Sequence, residues 1–393
     1  MPQTKGELNY SITDTINDIP KDDWDRLFGK DTIEGWGFHK TIEESGMQEF
    51  SYAYLLVHRN LALVAIIPFF INDFSFTTII QGPLQKLILS IQKVYRRFLR
   101  SKIIFVGNPL AEKLYIGVSV EEDLREIVTG ALKKIHCVAK DEGIAALIFY
   151  NLTVKDKLLA ECLKINGLSG MENFPNTILE IREKSLEEFI NSRGHSTRKD
   201  LRRKLRKANS LALLRTEVLD DISGLKDGIS RLYFENFQDS EVHFEILNPE
   251  FFLNISKYMP GVAKFFVTYA DDKIVAFNLC LVSADFFIDK VIGMDSKVSH
   301  VYNLYYTTFC HNIDWCIKNK VRYYVIGITD YHPKIRLGAK LVPLYIYLKV
   351  FNPLLRLFLR PLVGFIEPKN FDPVLKNLHK SKKTEIISGE KFL

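Results

Sequence analysis

Four side chains that could bind anions or move protons follow one apolar segment late in the chain. The strand-like run Arg322–Ile328 is followed by Asp330, Tyr331, Lys334 and Arg336. Gly327 and Gly338 flank this passage and allow tight turns at a strand end, where α/β proteins usually carry their sites. Lys334 and Arg336 could grip a phosphate or a carboxylate, the Arg through two parallel hydrogen bonds. A structural turn with exposed cations stays open as the alternative.

Positive charge is concentrated in three segments of a chain whose formal net charge is only +6. Residues 86–102 carry about +6, residues 193–207 about +7 and residues 334–360 about +6, which leaves about −13 on the rest. We interpret 193–207, with Arg198 and Arg202, as an anion-binding surface for CoA, tRNA or a lipid headgroup, because so many like charges repel without a partner. A solvated helix face is the alternative.

The order of predicted elements occurs twice along the 393 residues. Each copy has a strand–turn–strand, a helix and a buried strand, predicted at Ser51–Val57, Leu61–Phe70, Glu121–Glu142 and Ile144–Phe149, then at Ala263–Tyr269, Ile274–Val282, Tyr302–Lys318 and Arg322–Ile328. The predicted fold class is therefore α/β (α+β), with two tandem units whose mixed central sheets are flanked by helices. We expect an N-terminal unit over residues 1–175, a C-terminal unit over 176–348 and a tail over 349–393, with the boundary near Asn173–Asn176.

Two segments outside this repeat are apolar and basic at once. The first copy is about 35 residues longer than the second, and the surplus contains a predicted helix from Pro83 to about Leu99. It is either a core-packing helix with a solvated basic face or an interfacial helix on anionic lipid. The tail has a second amphipathic block at Leu354–Arg360. Beyond Ile366 we expect a polar, Lys-rich, frayed end.

Several functional classes are disfavoured by missing motifs. The sequence has no phosphate-binding P-loop, dinucleotide fingerprint, zinc-protease motif or serine nucleophile elbow. Its five cysteines show no paired spacing, so neither a disulfide framework nor a metal site is expected. The amino terminus shows no secretory signal, and no apolar stretch reaches the roughly 20 residues of a membrane-spanning helix. We expect a cytoplasmic protein peripherally associated with the inner membrane.

The repeat, together with three passages, resembles tandem GNAT-fold N-acyltransferases of the FemAB-like and BioF2-like group. The passages are Ser185–Phe189 with the basic helix after it, Asn248–Phe252, and Gly327–Ala339. The resemblance covers most of Thr177–Tyr347 and, more loosely, the first half. The sequence departs from ordinary acetyltransferases in lacking their pyrophosphate-binding loop before the helix at Tyr302.

The resemblance implies an acyltransferase that uses acyl-CoA as co-substrate and binds no permanent cofactor. N-acylation requires an amine that has lost a proton and a carbonyl that is polarised as the oxyanion forms. Glu235, His243 and Asp330 are candidate bases, and Tyr331 or Tyr302 could return a proton to the leaving group. The candidate substrate-binding residues are Arg198, Arg202, Tyr302, Lys334 and Arg336. His243 lies between Glu241 and Glu245, which should favour its cationic form.

The expected reaction is acyl transfer from an acyl-thioester to a primary amine, of a lipid such as a sphingoid base or of an envelope precursor. An anionic membrane surface is the expected partner, suggested by the two amphipathic basic segments. One alternative is an aminoacyl-tRNA-dependent transferase of the FemAB kind, with residues 193–207 gripping the RNA. Another is a non-catalytic adaptor for membrane or nucleic acid.

Overall fold

A computed structural model describes residues 6–47, 49–75, 90, 100–211, 213–238, 246–359 and 368–381. The predicted helix from Pro83 and His243 lie outside these residues. Within the described ranges, no helix has both the length and the apolar character needed to cross a bilayer.

The strands are β1 (Leu8–Thr13), β2 (Phe50–Arg59), β3 (Ala62–Ser75), β4 (Arg100–Val106), β5 (Gly117–Val118), β6 (Ala146–Leu152), β7 (Ser169–Glu180), β8 (Leu214–Leu219), β9 (Ala263–Ala270), β10 (Lys273–Val282), β11 (Phe286–Met294), β12 (Tyr323–Gly327) and β13 (Lys340–Val350). The helices are α1 (Lys21–Phe28), α2 (Trp36–Glu44), α3 (Leu124–Asp141), α4 (Lys157–Ile165), α5 (Leu186–Asn191), α6 (His195–Leu211), α7 (Lys226–Gln238), α8 (Pro249–Tyr258), α9 (Ser296–Tyr302), α10 (Leu304–Lys318), α11 (Tyr331–Arg336), α12 (Pro353–Leu359), α13 (Pro368–Phe371) and α14 (Pro373–Ser381).

All described strands belong to one mixed sheet of two similar halves. The order is β1-β2-β3-β4-β6-β13-β7-β12-β11-β10-β9-β8, with β5 beside β3. The parallel pairs β4–β6 and β11–β12 occupy equivalent places in the two halves. This arrangement confirms the predicted α/β class, the two hairpins and the two helix–strand pairs.

Strands β7 and β13 join the halves. Strand β13, from the end of the chain, inserts between β6 and β7 and pairs antiparallel with both. Strand β7 runs without interruption through residues 173–176, so the boundary predicted from sequence lies inside a strand that both halves use. The division into units remains a prediction from the repeat.

Local sequence explains several element ends. Helix α3 ends before Gly143, which has a φ of 66°, as expected for a glycine that stops a helix. Ser185 accepts a hydrogen bond from the Glu188 amide at 3.1 Å and begins α5, as the capping pattern predicts. The predicted helix Tyr302–Lys318 begins instead at Leu304, because Asn303 takes a left-handed conformation between α9 and α10.

The end of the chain differs from the frayed tail expected beyond Ile366. The structure has α13 and α14 there, and α12 lies within the predicted amphipathic block. Leu375 of α14 is buried with Tyr331 and Leu341, and Leu355 of α12 is buried in the central core. Apolar side chains spaced along a Lys-rich segment thus pack onto the protein, a contact that local composition did not reveal.

Three large clusters fill the layers on either side of the sheet. The central cluster lies between the sheet and helices α2, α7 and α8 and contains residues of both halves. On the opposite face, α3 and α4 cover the N-terminal half. Helices α5, α6 and α10 cover the C-terminal half. The central cluster is the one in which the two halves share side chains.

Candidate active site

A gap opens where β11 and β12 stop pairing. Residues Phe286–Ile288 of β11 pair with Tyr323–Val325 of β12. Beyond these residues both strands continue but no longer pair with each other. Immediately after the last pair, β11 is bulged: Val291 lies opposite Leu279, whereas Asp289 lies opposite Cys280, which leaves Lys290 as the extra residue. Bulges re-aim side chains beside sites. Here the bulge places two adjacent charged residues at the opening.

Asp289 accepts hydrogen bonds from two residues. The Asn278 amide donates to both carboxylate oxygens at 3.1 Å, and the Tyr324 hydroxyl donates to Oδ2 at 2.8 Å. Asn312 of α10 in turn donates to the Tyr324 oxygen at 3.0 Å. Burial raises the pKa of Asp289 to about 6, against the opposing effect of these hydrogen bonds and of Lys334. A carboxyl with this pKa can accept and release a proton near neutral pH.

Lys334 approaches the same gap from the turn after β12. Its ammonium donates to the carbonyl oxygens of Ile326 at 2.7 Å and Gly327 at 3.3 Å, and its side chain is buried. Gly327 and Asp330 have positive φ values of 84° and 49°, which turns the chain from β12 directly into α11. Burial lowers the pKa of Lys334 to about 8, although the carboxylates of Asp289, Asp330 and Glu112 oppose this shift.

Lys290 joins β11 to two carboxylates of the N-terminal half. Its ammonium forms ion pairs with Glu34 and with Glu112, the latter at 2.8 Å. The Glu112 amide donates to Glu34, and Asn176 donates to Glu112 at 2.7 Å. Burial opposes the charge on Lys290, but Glu112 and Glu34 outweigh it and raise the pKa of this lysine. Burial also raises the pKa of Glu34. This network holds β11, a strand of the C-terminal half, against Glu34 and Glu112 of the N-terminal half.

A cavity of about 1330 Å³ contains these groups. Thr308 and Phe309 of α10 line it on one side of the sheet, and Tyr233 and Phe237 of α7 line it on the other. Because these helices cover opposite faces, the cavity passes through the gap between β11 and β12. Polar side chains at this gap include Asn278, Asp289, Lys290, Tyr305, Tyr324, Asp330 and Lys334. Elsewhere the cavity is bordered by further polar residues, which include Glu112, Asn151, Glu172, Asn173, Asn236, Lys349 and Arg356. The Tyr305 hydroxyl is buried there with no hydrogen-bond partner among the described residues.

The structure brings two of the predicted site residues, Asp330 and Lys334, to this cavity. Tyr331 of the same turn is buried away from it and donates to the Pro175 carbonyl at 2.9 Å. Arg336 lies 3.8 Å from Asp200 of α6. Tyr302 packs in a small cluster at the end of α9. The catalytic or binding roles of all these residues remain predictions.

Three other predicted residues, Glu235, Arg198 and Arg202, lie on helices and do not line the cavity. Glu235 forms an ion pair with Arg231 one turn earlier on α7, at 2.8 Å. Arg198 donates to the Asn191 carbonyl at 3.1 Å, and Arg202 donates to the Asn191 side chain at 2.8 Å. The structure therefore brings none of these three residues together with Asp330 and Lys334. His243 lies outside the described residues.

The positive charge counted for residues 193–207 is partly neutralised from outside the segment, because Arg193 pairs with Glu183 at 2.9 Å and Arg202 pairs with Glu187. Asp200 pairs with Arg203 at 2.7 Å and with Lys204 at 3.0 Å, and the Lys204 ammonium also lies 3.3 Å from the ring centre of Tyr306. In the described part of the chain, Lys199, Arg206 and Lys207 make no ion pair. The unneutralised surface is therefore smaller than the sequence indicated.

Sequence reasoning missed Asp289, Lys290 and Tyr324. A signal existed for the first two, since Phe286–Ile292 is an apolar strand interrupted by an adjacent acid and base. Such a pair in a buried strand needs partners or a function. Tyr324, in contrast, is one aromatic residue within a β-rich run, and nothing in its spacing distinguishes it.

The comparisons with known proteins agree with this geometry. A model of the acetyltransferase (GNAT) domain matches residues 195–334, which include the helix α6, the bulged strand β11 and Lys334. A Mycobacterium tuberculosis protein named 8-amino-7-oxononanoate synthase 2 is 24% identical over 260 residues, which are 64% of this chain and 33% of that protein. The chain thus spans about a third of the length of the curated relatives it matches.

Two solved structures share the architecture over most of their length. FemX has a TM-score of 0.51 at 11% identity, covering 82% of this chain and 92% of that one. A tandem GNAT protein from the clavulanic acid biosynthesis pathway has a TM-score of 0.54 at 10% identity, covering 88% and 99%. The family model shows a GNAT domain over residues 195–334, and these neighbours show that the chain has a tandem GNAT, FemAB-like fold.

Proposed function

We propose that the protein transfers an acyl group from an acyl-thioester, acyl-CoA, to a primary amine of a lipid or an envelope precursor. The observation that carries the proposal is the meeting of Asp289 and Lys334 at the gap between β11 and β12. One group has a pKa of about 6 and the other about 8, so at neutral pH a carboxylate and an ammonium face the same cavity. Amide formation needs a proton acceptor and a stabiliser of negative charge.

The two residues have separate roles in this reaction. Asp289 accepts a proton from the substrate ammonium, and the free amine attacks the thioester carbonyl carbon. The carbon–nitrogen bond forms, and the carbonyl oxygen becomes an oxyanion stabilised by Lys334. The carbon–sulfur bond then breaks, the nitrogen loses its second proton, and the thiolate gains one. The products are an amide and a free thiol, and one proton is released overall.

A different arrangement from ordinary acetyltransferases must hold the CoA phosphates. Their pyrophosphate loop would follow β11, but α9 and the left-handed Asn303 occupy that position. The cations of α6 that make no ion pair in the described chain lie on a helix packed against α9 and α10. We assign the phosphates to this neighbourhood, with Lys199, Arg206 and Lys207 as the candidate contacts.

The acceptor we favour is a long-chain amino-lipid such as a sphingoid base, met at the inner face of a membrane. The support is the amphipathic, basic character of the sequence from Pro83 to Lys102, since Leu355 of the tail segment is buried in the central core. Replacing Arg96, Arg97 and Arg100 by Gln should release the protein from anionic liposomes in a sedimentation assay. Unchanged sedimentation would argue against membrane association.

The test of the reaction is thiol release by the purified full chain. Acyl-CoA together with a long-chain amine should yield free CoA and an amide detected by mass spectrometry, and neither substrate alone should do so. Lys334→Met should lower kcat by about 10²–10³ through loss of oxyanion stabilisation. Lys297→Met removes an exposed lysine of α9 and is the matched control. Absence of turnover on any amine would overturn the proposal.

An aminoacyl-tRNA-dependent transferase is the second candidate, favoured by the same free cations on α6. It predicts a tRNA affinity that falls steeply with salt. Lys199, Arg206 and Lys207 would then govern RNA binding rather than the use of acyl-CoA. Titration of fluorescent tRNA at two salt concentrations separates the two functions.

A further inference from the structure

One face of the N-terminal half of the sheet lines the cavity instead of packing fully against a helix. Its side chains come from alternate positions of β4, β6 and β13. Tyr150 of β6 lines it with its hydroxyl donating to the Asn108 carbonyl, and six of the others are apolar. They are Ile103, Phe105, Ala146, Ile148, Leu348 and Val350. An apolar sheet face normally buries itself against another layer of the protein. Here it faces the cavity.

The opposite wall of this part of the cavity is also apolar. Phe38 of α2, Phe237 of α7 and Phe251 of α8 line it, together with Leu247. These residues belong to, or pack against, the central cluster that both halves share. The space between them and the sheet face is continuous with the polar gap at Asp289 and Lys334. We call this apolar space the chamber.

The size and chemistry of the cavity favour a large apolar occupant. Protein interiors contain few voids larger than a water molecule. Pockets for drug-sized ligands have volumes of about 300–1,000 Å³, and this cavity has about 1330 Å³. Water would find few hydrogen-bond partners among the side chains of the chamber, whereas hydrocarbon would recover the lost contacts.

We propose that the chamber binds one long hydrocarbon chain, whose polar head lies at the gap between β11 and β12. The proposal rests on the proposed function, because the chain belongs to one of its two substrates. That substrate is either a long-chain acyl donor or a long-chain amine, and the wall chemistry is the same for both. The N-terminal half thus selects the substrate by length, and the C-terminal half carries the reacting groups.

Binding of each substrate class alone tests the chamber without turnover. The probes are n-alkylamines from butylamine to dodecylamine and acyl-CoAs from acetyl-CoA to lauroyl-CoA, titrated into the full chain by calorimetry. In one series the affinity should rise about fourfold for each added methylene. The series that shows this rise identifies which substrate, the amine or the acyl donor, carries the hydrocarbon chain. Equal affinities within both series would overturn the proposal.

A larger side chain inside the chamber should shorten the hydrocarbon chain that binds best. In Ile148→Trp, the affinity should stop rising several methylenes earlier than in the wild type, while the shortest probe binds as before. Ile165→Trp places the same ring on an exposed position of α4 and should leave the length dependence unchanged. Ala146→Leu is the smaller alternative if Ile148→Trp unfolds. An unchanged length dependence in a folded filled variant would count against the chamber.

The outcomes separate this proposal from the proposed function. Length-dependent binding without thiol release would keep the chamber and refute acyl transfer. Thiol release with equal efficiency for short and long substrates would keep acyl transfer and refute the chamber.

Discussion

The parallel strand pairs of the two halves have the same architecture, but equivalent positions are polar in one pair and apolar in the other. Counted from the first paired residue, Asp289 of β11 corresponds to Val106 of β4, and Tyr324 of β12 corresponds to Leu147 of β6. Both N-terminal residues are buried among the side chains of α3 and α4. The C-terminal gap holds a hydrogen-bonded carboxylate, whereas its counterpart is closed by apolar packing.

The path of the cavity follows from this difference. In the C-terminal half the cavity passes through the sheet, with α7 on one face and α10 on the other. In the N-terminal half it follows mainly the face that carries Phe105 and Ile148, although Gly167 and Lys349 also border it. The C-terminal half thus has a gap that exposes polar groups, and the N-terminal half has a sheet face that presents apolar side chains to the cavity. We infer that the halves divide reaction and substrate binding between them.

Asp289→Asn gives the largest effect that we expect. The amide keeps the shape of the side chain but has no carboxylate to accept a proton, so kcat/KM should fall by about 10²–10⁴. Thioester consumption at saturating amine, followed as the thioester concentration is varied, measures kcat/KM for the thioester. Asp285→Asn, at the exposed turn before β11, is the matched control and should retain activity. If Asp289→Asn were fully active, the polar gap would not be the reacting end.

Lys290→Met tests whether the two halves are held together at the bulge. It leaves Glu34 and Glu112 buried without their cation, so the free energy of unfolding should fall by about 3–5 kcal/mol. Urea denaturation measures the loss, and adding Glu34→Gln and Glu112→Gln should recover part of it. Lys264→Met breaks an exposed pair with Asp220 and should cost about 0–1 kcal/mol. Equal losses in the two variants would contradict a buried network.

The pH dependence of kcat/KM should be bell-shaped. Asp289 must be deprotonated, so the rate rises about tenfold per pH unit below its pKa of about 6. Lys334 must be protonated, so the rate falls again above its pKa of about 8. Lys334→Arg keeps the charge at higher pH and should extend the active range upward. A flat profile between pH 5 and pH 9 would contradict both assignments.

The sequence allowed the repeated elements and the fold class to be predicted, because hydrophobic periodicity and turn residues determine them locally. It also pointed to Asp330 and Lys334, since charged residues between two glycines after a buried strand form a local pattern. Asp289 could not be recognised as their neighbour from that pattern. Its position depends on a bulge, on the pairing of β11 with β10 and on Tyr324 from another strand. These are long-range contacts.

The insertion of β13 between the halves was beyond sequence reasoning for the same reason. Its residues form an almost continuous apolar run, and nothing local specifies β6 and β7 as its neighbours. The chamber depends on this insertion, because Leu348 and Val350 complete its sheet face. A feature assembled from three strands and three helices has no signature in any one of them.

Glu235→Gln should give the smallest effect and sharpens the contrast between the helix α7 and the gap. Tyr233 and Phe237 of α7 line the cavity, whereas Glu235 is paired with Arg231 outside it. An ion pair four residues apart on a helix contributes about 0.3–0.5 kcal/mol. Activity should therefore change less than twofold in the thioester assay, and the unfolding free energy by less than about 0.5 kcal/mol in urea denaturation. A loss of activity as large as that of Asp289→Asn would place a proton acceptor on the helix and move the reacting end of the cavity away from the strand gap. Retained activity would leave α7 as an apolar wall of the substrate site.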